Sequence, residues 1–147
     1  MISPEILGIP QKLDPFVTEG KDVWVKNIQD LTAVIDSSGM CLFTSFALGA
    51  PEYAALLAAG TGFDFTPDEI MVIGDRIWNI ERLFNINAGF TSEEDTLPPR
   101  LLREPMPEGP AKGKVVMLDK MLPNYYKTRG WDANGVPTKK KLKELGI

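Results

Sequence analysis

The sequence predicts an all-α fold, because helix-period apolar patterns recur along it and no strand-length run alternates apolar with polar residues. The two longest patterns cover residues 24–35 and 70–84. Before the second, Thr66 and Glu69 form a capping box, with Pro67 in the first helical position. We therefore predict one multihelical domain over residues 1–147, a length that suits a single core.

The first part of the chain divides into an arm and a helix. Residues 1–17 contain three prolines and no sustained period, so we predict an extended N-terminal arm. A helix follows from Glu19 to Asp36, with Thr18 as its cap. Its predicted inner face consists of Trp24, Ile28, Leu31 and Ile35, widened by Val23 and Val34.

The central part is predicted to hold a helical region from Leu42 to Leu48, a short helix from Glu52 to Ala59, and a core helix that begins after Thr66 and ends at Asn87 or Gly89. The core helix is expected to pack through its apolar positions, which are Ile70, Ile73, Ile77, Ile80 and Phe84. We predict that its polar positions form a solvated or inter-domain face with local ion pairs; these are Arg76, Asn79, Glu81 and Arg82.

Further elements are predicted towards the end of the chain. They are a short helix from Pro98 to Leu102, an irregular crossing at 104–114, an extended piece from Val115 to Leu118, a helix from Asp119 to Arg129 and a last helix from Thr138 to Leu145. Asp119 is expected to cap the helix that runs to Arg129, and Gly130 is expected to end that helix in the left-handed conformation. The three tryptophans, Trp24, Trp78 and Trp131, are expected to pack in the core.

Composition excludes several classes of protein. Hydrophobic residues make up 44% and charged residues 24%, as in globular domains. The net charge of −4, from 16 basic and 20 acidic residues, argues against a nucleic-acid surface, and we expect Lys139–Lys141 to be solvated. No apolar run approaches the roughly 20 residues that span a bilayer, and no signal peptide begins the chain, so we expect a cytoplasmic protein.

The most informative stretch is Asp36-Ser37-Ser38-Gly39-Met40-Cys41, which contains the single cysteine of the chain. It joins a carboxylate, a glycine turn and a soft sulfur ligand within six residues. Two interpretations stay open from the residues alone: a ligand-contacting motif, or a helix stop followed by a small buried hydrophobic cysteine. With a single cysteine and no histidine, the chain matches no Cys/His metal-ligand pattern, and no Ser-His-Asp or Cys-His arrangement can be assembled from it.

The order of several stretches resembles the C-terminal part of the tungsten-containing aldehyde:ferredoxin oxidoreductase family. That family carries D-x-x-G-L-C where this chain has Asp36, Gly39, Met40 and Cys41. The other similar stretches are Ser3–Gly8, Arg76–Asn79, Glu81–Asn85, Ala88–Thr91, Asp95–Pro98, Leu118–Asp119, Tyr125–Tyr126, Arg129–Asp132 and Asn134–Thr138. Methionine replaces leucine in the motif, an apolar change of similar volume.

The resemblance implies a role for each residue of the motif. Cys41 would be the fourth thiolate of a [4Fe–4S] cluster whose other cysteines lie upstream of this chain. Asp36 would accept hydrogen bonds from one pterin of a tungsten bis-molybdopterin cofactor. Gly39 and Met40 would let the backbone approach that pterin closely. No catalytic residue is assigned to this chain.

The resemblance also implies a reaction and partners. The complete enzyme would oxidise an aldehyde to a carboxylic acid and pass electrons to ferredoxin, while this chain alone would be inactive without the upstream domains. A face left uncovered by those domains could support a homodimer. The alternative is a non-catalytic helical interaction module, which predicts that Cys41 is buried and inert.

Overall fold

A computed structural model describes residues 14–147, so the expected arm at 1–17 lies almost wholly outside the described residues. The helices are α1 (Lys21–Ser37), α2 (Ala50–Thr61), α3 (Pro67–Asn87), α4 (Pro99–Arg103), α5 (Leu118–Arg129) and α6 (Lys139–Leu145), with 3-10 turns at Leu42–Phe46 and Ser92–Glu94. Between residues 14 and 147 there is no strand, and two isolated bridges join Met106 to Lys112 and Trp131 to Pro137. The predicted all-α fold is confirmed.

Helices α1 and α3 form the centre of the fold. Helix α5 packs on α1, while α2 and α6 pack on α3. The apolar core lies where α1, α2 and α3 meet, and its buried members are Leu31, Val34, Ile35, Tyr53, Ala54 and Ile70. The C-terminal half of α1 therefore packs in one core with residues of α2 and α3.

The first helix begins two residues later than predicted, at Lys21. Gly20 precedes it in the left-handed conformation, with φ of 72°, and no side chain caps the helix, so the prediction of Thr18 as cap is wrong. The inner face is right at Leu31 and Ile35, which are fully buried, but Val23 points outward.

The start of α3 is as predicted. Thr66 Oγ1 accepts a hydrogen bond from the Glu69 backbone N–H at 3.2 Å, and the Glu69 carboxylate accepts one from the Thr66 N–H at 2.8 Å. Pro67 occupies the first position of the helix, which ends at Asn87. A capping box with proline at the first position is thus a reliable start signal here.

The predicted inner face of α3 is wrong over its C-terminal half. Ile70 is fully buried, whereas Ile80 is 50% exposed and Phe84 is 71% exposed. The residues that α3 buries beyond Ile70 are instead Gly74, Asp75, Asn79 and Arg82. Two of the four side chains expected on a solvated or inter-domain face, Asn79 and Arg82, are therefore buried. Asn79 makes hydrogen bonds with Asp75 of the same helix and with Trp131, and Arg82 makes them with Asp95 and the Gly135 carbonyl. Trp131, Asp95 and Gly135 all lie in loops.

The C-terminal helices agree with prediction except at the cap of α5. Helix α5 begins at Leu118, and Asp119 lies within its first turn, where it is not the cap. Gly130 ends α5 in the left-handed conformation and Trp131 is buried, both as predicted. Thr138 caps α6, accepting a hydrogen bond from the Lys141 N–H at 3.2 Å.

Three smaller predictions can be compared with the structure. Residues 104–114 form no helix, as expected, and 115–117 form no strand. Of the three tryptophans expected in the core, Trp131 is buried, whereas Trp24 and Trp78 are partly exposed. In the described range, no helix has both the length and the apolar character needed to cross a membrane.

Candidate functional site

The motif at the end of α1 forms a tight helix stop. The Gly39 backbone N–H donates to the Asp36 carbonyl at 3.1 Å, and the Ser38 N–H donates to the Val34 carbonyl at 3.0 Å. Gly39 has φ of 75°, a conformation that residues with a Cβ rarely adopt. The helix therefore ends at Ser37, one residue after Asp36, and the chain turns out of it at Gly39.

The residues of the motif divide between surface and core. Asp36, Gly39 and Cys41 are exposed, whereas Met40 is partly buried and packs on the apolar core. Met40 thus anchors the turn, and its neighbours face outward. An exposed free thiol at Cys41 contradicts the interpretation of this cysteine as a small buried hydrophobic residue.

The backbone of Cys41 is held although its side chain is free. Its carbonyl accepts hydrogen bonds from the Thr44 N–H at 3.0 Å and from Thr44 Oγ1 at 2.7 Å. Thr44 Oγ1 lies 2.7 Å from the hydroxyl of Tyr53, a residue of the buried core. The backbone that carries the thiol is consequently tied to the core through Thr44 and Tyr53.

Exposed apolar side chains follow Cys41 directly in the sequence. Leu42, Phe43 and Phe46 follow it in the 3-10 turn and are all exposed, with Phe43 at 75%. The two phenylalanine rings stack with their centroids 5.9 Å apart and their planes 10° from parallel. Such a patch directly beside a free thiol is typical of a surface that another component covers.

Asp36 lies at the edge of a shallow depression of about 340 Å³ between α1 and α3. Ile28, Ala33, Ile77 and Trp78 provide apolar lining, while Thr32, Asp36, Ser37 and Glu81 provide polar groups. The indole N–H of Trp78 donates to the Gln29 carbonyl at 2.9 Å, which fixes that side of the depression. An apolar depression with a carboxylate at its edge suits a flat heterocycle that carries N–H donors.

A buried ionic cluster holds the part of α1 that precedes the motif. Its members come from four helices and are Lys26, Asp30, Asp75, Arg129 and Lys141. Arg129 pairs with Asp30 and lies 3.1 Å from the Asp75 carboxylate, and Lys26 lies 2.6 Å from Asp30. The side chains of Asp30 and Arg129 are completely buried. Lys141, which we expected to be solvated, pairs with Asp75 instead.

The backbones of α1 and α3 approach closely at this cluster. A Cβ placed on Gly74 would lie 2.1 Å from the Asp30 carbonyl oxygen, far inside contact distance. Glycine is therefore required at position 74 for the two helices to cross here, and the crossing point brings Asp30 and Asp75 to the same guanidinium.

The two carboxyl groups of the cluster differ in pKa. Burial raises the pKa of Asp30, since loss of hydration outweighs the attraction of Arg129 and Lys26. Burial acts in the same direction on Asp75, but there the hydrogen bond from Lys141 and the charges of the three cations hold the pKa below its usual value. Asp75 is consequently the more firmly ionised partner.

A second buried network ties the C-terminal loop, residues 130–138 between α5 and α6, to α3. Arg82 donates to the Gly135 carbonyl and to Asp95, each at 2.8 Å, and its guanidinium carbon lies 5.0 Å from the centre of the Trp131 ring. The Tyr126 hydroxyl donates to the same Asp95 carboxylate. Burial, together with this bond, raises the pKa of Tyr126 to about 12.

Sequence reasoning missed both networks, although a signal for them exists. Asp75, Asn79 and Arg82 recur at helical spacing, four and then three residues apart, and so make a polar stripe beside Gly74. The apolar stripe of the same helix has more members, so periodicity alone predicts that it is the inner face. Residues 14–147 contain no group of three or more potential metal ligands.

Comparison with known proteins places this geometry in a family. The whole chain, residues 1–147, matches the family described as "Aldehyde ferredoxin oxidoreductase, domains 2 & 3". The chain belongs to the aldehyde ferredoxin oxidoreductase family. This membership confirms the resemblance found from the motif stretches.

Individual members of the aldehyde ferredoxin oxidoreductase family are closely similar. The tungsten-containing aldehyde ferredoxin oxidoreductase of Pyrococcus furiosus is 58% identical over 149 residues, which cover 100% of this chain and 25% of that protein. The enzyme of the same name from Pyrococcus horikoshii is 57% identical, with 24% of its length covered. The chain thus spans about a quarter of the length of these relatives.

A solved structure supports the fold assignment within the aldehyde ferredoxin oxidoreductase family. The active-site complex BamBC of benzoyl coenzyme A reductase, in complex with 1,5-dienoyl-CoA, superposes with a TM-score of 0.75 at 25% identity. The match covers 93% of this chain and 21% of the solved chain. The arrangement of helices described here therefore recurs as one part of a larger protein.

Proposed function

We propose that residues 1–147 are the C-terminal portion of a tungsten-containing aldehyde:ferredoxin oxidoreductase. The complete enzyme would convert an aldehyde and water into a carboxylic acid, two protons and two electrons, and the electrons would pass to ferredoxin in the cytoplasm. The observation that carries the proposal is the outward orientation of Asp36, Gly39 and Cys41 on a turn anchored by Met40. Family membership over the whole chain supports it.

The residues around Asp36 fit a pterin. An ionised carboxylate that faces neighbouring N–H donors makes short, charge-assisted hydrogen bonds, and Asp36 borders a depression with apolar walls for the ring. Gly39 has open space beside it, because a Cβ built there would meet nothing within 4 Å. The backbone at Gly39 and Met40 is therefore accessible for close approach.

Cys41 fits the role of one thiolate ligand of a [4Fe–4S] cluster. Such clusters take four thiolates, and this chain has one cysteine, so three ligands would come from the upstream part of the enzyme. Cys41 is exposed, its backbone is held by Thr44, and its apolar neighbours would exclude water once covered. A cluster shared in this way would join the two parts of the protein.

The tungsten bis-molybdopterin cofactor and the cluster would supply the oxidation chemistry and the electron path. The residues of this chain would bind and orient: Asp36 holds one edge of the pterin, Gly39 and Met40 bring the backbone alongside, and Cys41 fixes the cluster. We propose that this chain alone is inactive, because the cluster needs three further thiolates and the chain has one cysteine.

The test uses the full-length protein, expressed anaerobically, with iron, sulfide, tungsten and pterin measured together with the visible absorption spectrum. We expect Cys41→Ser to lose or alter the cluster, and Asp36→Asn to lower the pterin content. Asp64→Asn is the matched control, since Asp64 is an exposed aspartate in the loop before α3. Unchanged metal, sulfide and pterin in both motif variants would refute the proposal.

A further inference from the structure

Helix α3 carries a second apolar stripe on the face opposite its buried polar side chains. Ile73, Ile77, Ile80 and Phe84 recur four, three and four residues apart, which places them in one row along the helix. Ile73 still packs on the apolar core and Ile77 is partly buried, but Ile80 and Phe84 are exposed. The stripe thus starts inside the domain and runs out onto its surface.

This stripe cannot turn inward, because the opposite face of α3 is fixed. At Gly74 the helix touches the backbone of Asp30, and Trp78 and Arg82 donate hydrogen bonds to carbonyls of α1 and of the C-terminal loop. Rotating α3 to bury Phe84 would break these bonds and remove Asp75 from its cations. The contacts made by the other side of α3 therefore keep Ile80 and Phe84 exposed.

The stripe is continuous with the site proposed above. Ile77 and Asp36 line the same depression between α1 and α3, so the row that leads to Ile80 and Phe84 begins at the proposed pterin position. Phe90, 52% exposed, follows the end of α3 and adds to the apolar surface there. Charge is sparse along the row, since Glu81 is the one charged residue from 77 to 81 and Arg82 is buried in its own network.

We propose that the row formed by Ile77, Ile80 and Phe84 is the surface on which the upstream portion of the same polypeptide docks. This inference rests on the proposed function, in which both portions hold one cofactor and must meet beside Asp36. The close relatives are about four times as long as this chain, so the expected partner is present in each molecule at high effective concentration. An uncharged row of large side chains suits such a permanent intramolecular interface.

The test places a photo-crosslinking residue on the row in the full-length protein. Phe84 is replaced by p-benzoylphenylalanine, which keeps an aromatic side chain, and the same residue at Val72 is the control. Val72 lies on α3 and is 46% exposed, close to the 50% of Ile80, and it lies about 120° around the helix from Phe84. We expect the probe at position 84 to form, in several-fold higher yield than the control, bonds to peptides that precede residue 1, within the monomer.

Other crosslinking outcomes would overturn the inference. A product of doubled mass would show that a second copy covers the row, a product with a separate protein would show an external partner, and equal low yields at positions 84 and 72 would show an open surface. As a second measurement, Ile80→Lys should lower the melting temperature of the full-length protein more than Val72→Lys does. Equal shifts would contradict the docking surface.

The outcome of this test is separable from that of the cofactor test. If the cluster depends on Cys41 but the probe at position 84 captures no upstream peptide, the docking inference alone is wrong. If instead the probe captures upstream peptides while the Cys41→Ser and Asp36→Asn variants keep their cluster and pterin, the proposed function is wrong, but the docking surface is still supported.

Discussion

Replacing Gly74 with alanine tests whether the crossing of α1 and α3 is as close as described. The new Cβ would lie 2.1 Å from the Asp30 carbonyl oxygen, 2.5 Å from its carbon and 2.7 Å from its Cα. All three atoms belong to the backbone, so no side-chain rotation relieves the contact. The two helices must separate by about 1 Å to restore ordinary van der Waals distances.

The expected cost follows from two opposing terms. Overpacking a tight contact typically costs about 1–3 kcal/mol, and here the separation also stretches the buried pairing of Asp30 and Asp75 with Arg129. Alanine returns about 1 kcal/mol through its higher helix propensity. We therefore expect Gly74→Ala to lower the free energy of unfolding by about 2 kcal/mol.

The chain supplies a matched control for this substitution. Gly60 also lies within a helix, but a Cβ built there meets nothing within 4 Å. Gly60→Ala should accordingly stabilise the protein by about 0.5–1 kcal/mol. Denaturant or thermal unfolding of both variants beside the wild type gives the comparison, and a Gly74→Ala protein as stable as Gly60→Ala would refute the close crossing.

Two further predictions concern the buried networks. Arg129→Met should destabilise the protein by about 3–5 kcal/mol, because it leaves Asp30 buried without its main cation, whereas Arg100→Met, which removes an exposed pair with Glu104, should cost less than about 1 kcal/mol; equal costs in denaturant unfolding would contradict the cluster. Because the pKa of folded Tyr126 is raised from 10 to about 12, unfolding releases its proton in that range, so stability should fall as pH rises from 10 to about 12. Tyr126→Phe should weaken this alkaline loss in melts across that range, and an unchanged pH slope would show that the hydroxyl is not held by Asp95.

The helices were predictable from sequence because both their apolar periodicity and the residues that start and end them act locally. The capping box at Thr66 and the glycine at 130 fix backbone hydrogen bonds within a few residues, so they act the same in any context. The 3-10 geometry at Leu42–Phe46 and the late start of α1 at Lys21 are boundary details that propensity does not resolve.

The orientation of α3 was not predictable, because it depends on partners distant in sequence. Asp75 is buried only because Arg129 and Lys141 arrive from helices more than 50 residues away. From sequence alone, the apolar row ending at Phe84 has the larger hydrophobic surface and looks like the inner face. The motif at Asp36 and Cys41 was found through resemblance, and the structure adds that Met40 anchors it while the other residues face outward.

The buried cluster also constrains the order in which the chain can fold. Asp30 and Asp75 sit side by side in the finished domain, and they precede Arg129, their shared cation, by 99 and 54 residues. Until Arg129 emerges from the ribosome, closing α1 on α3 would bury two carboxylates with Lys26 as their cation from the same region. The central helix pair should therefore stay open during translation until α5 brings Arg129.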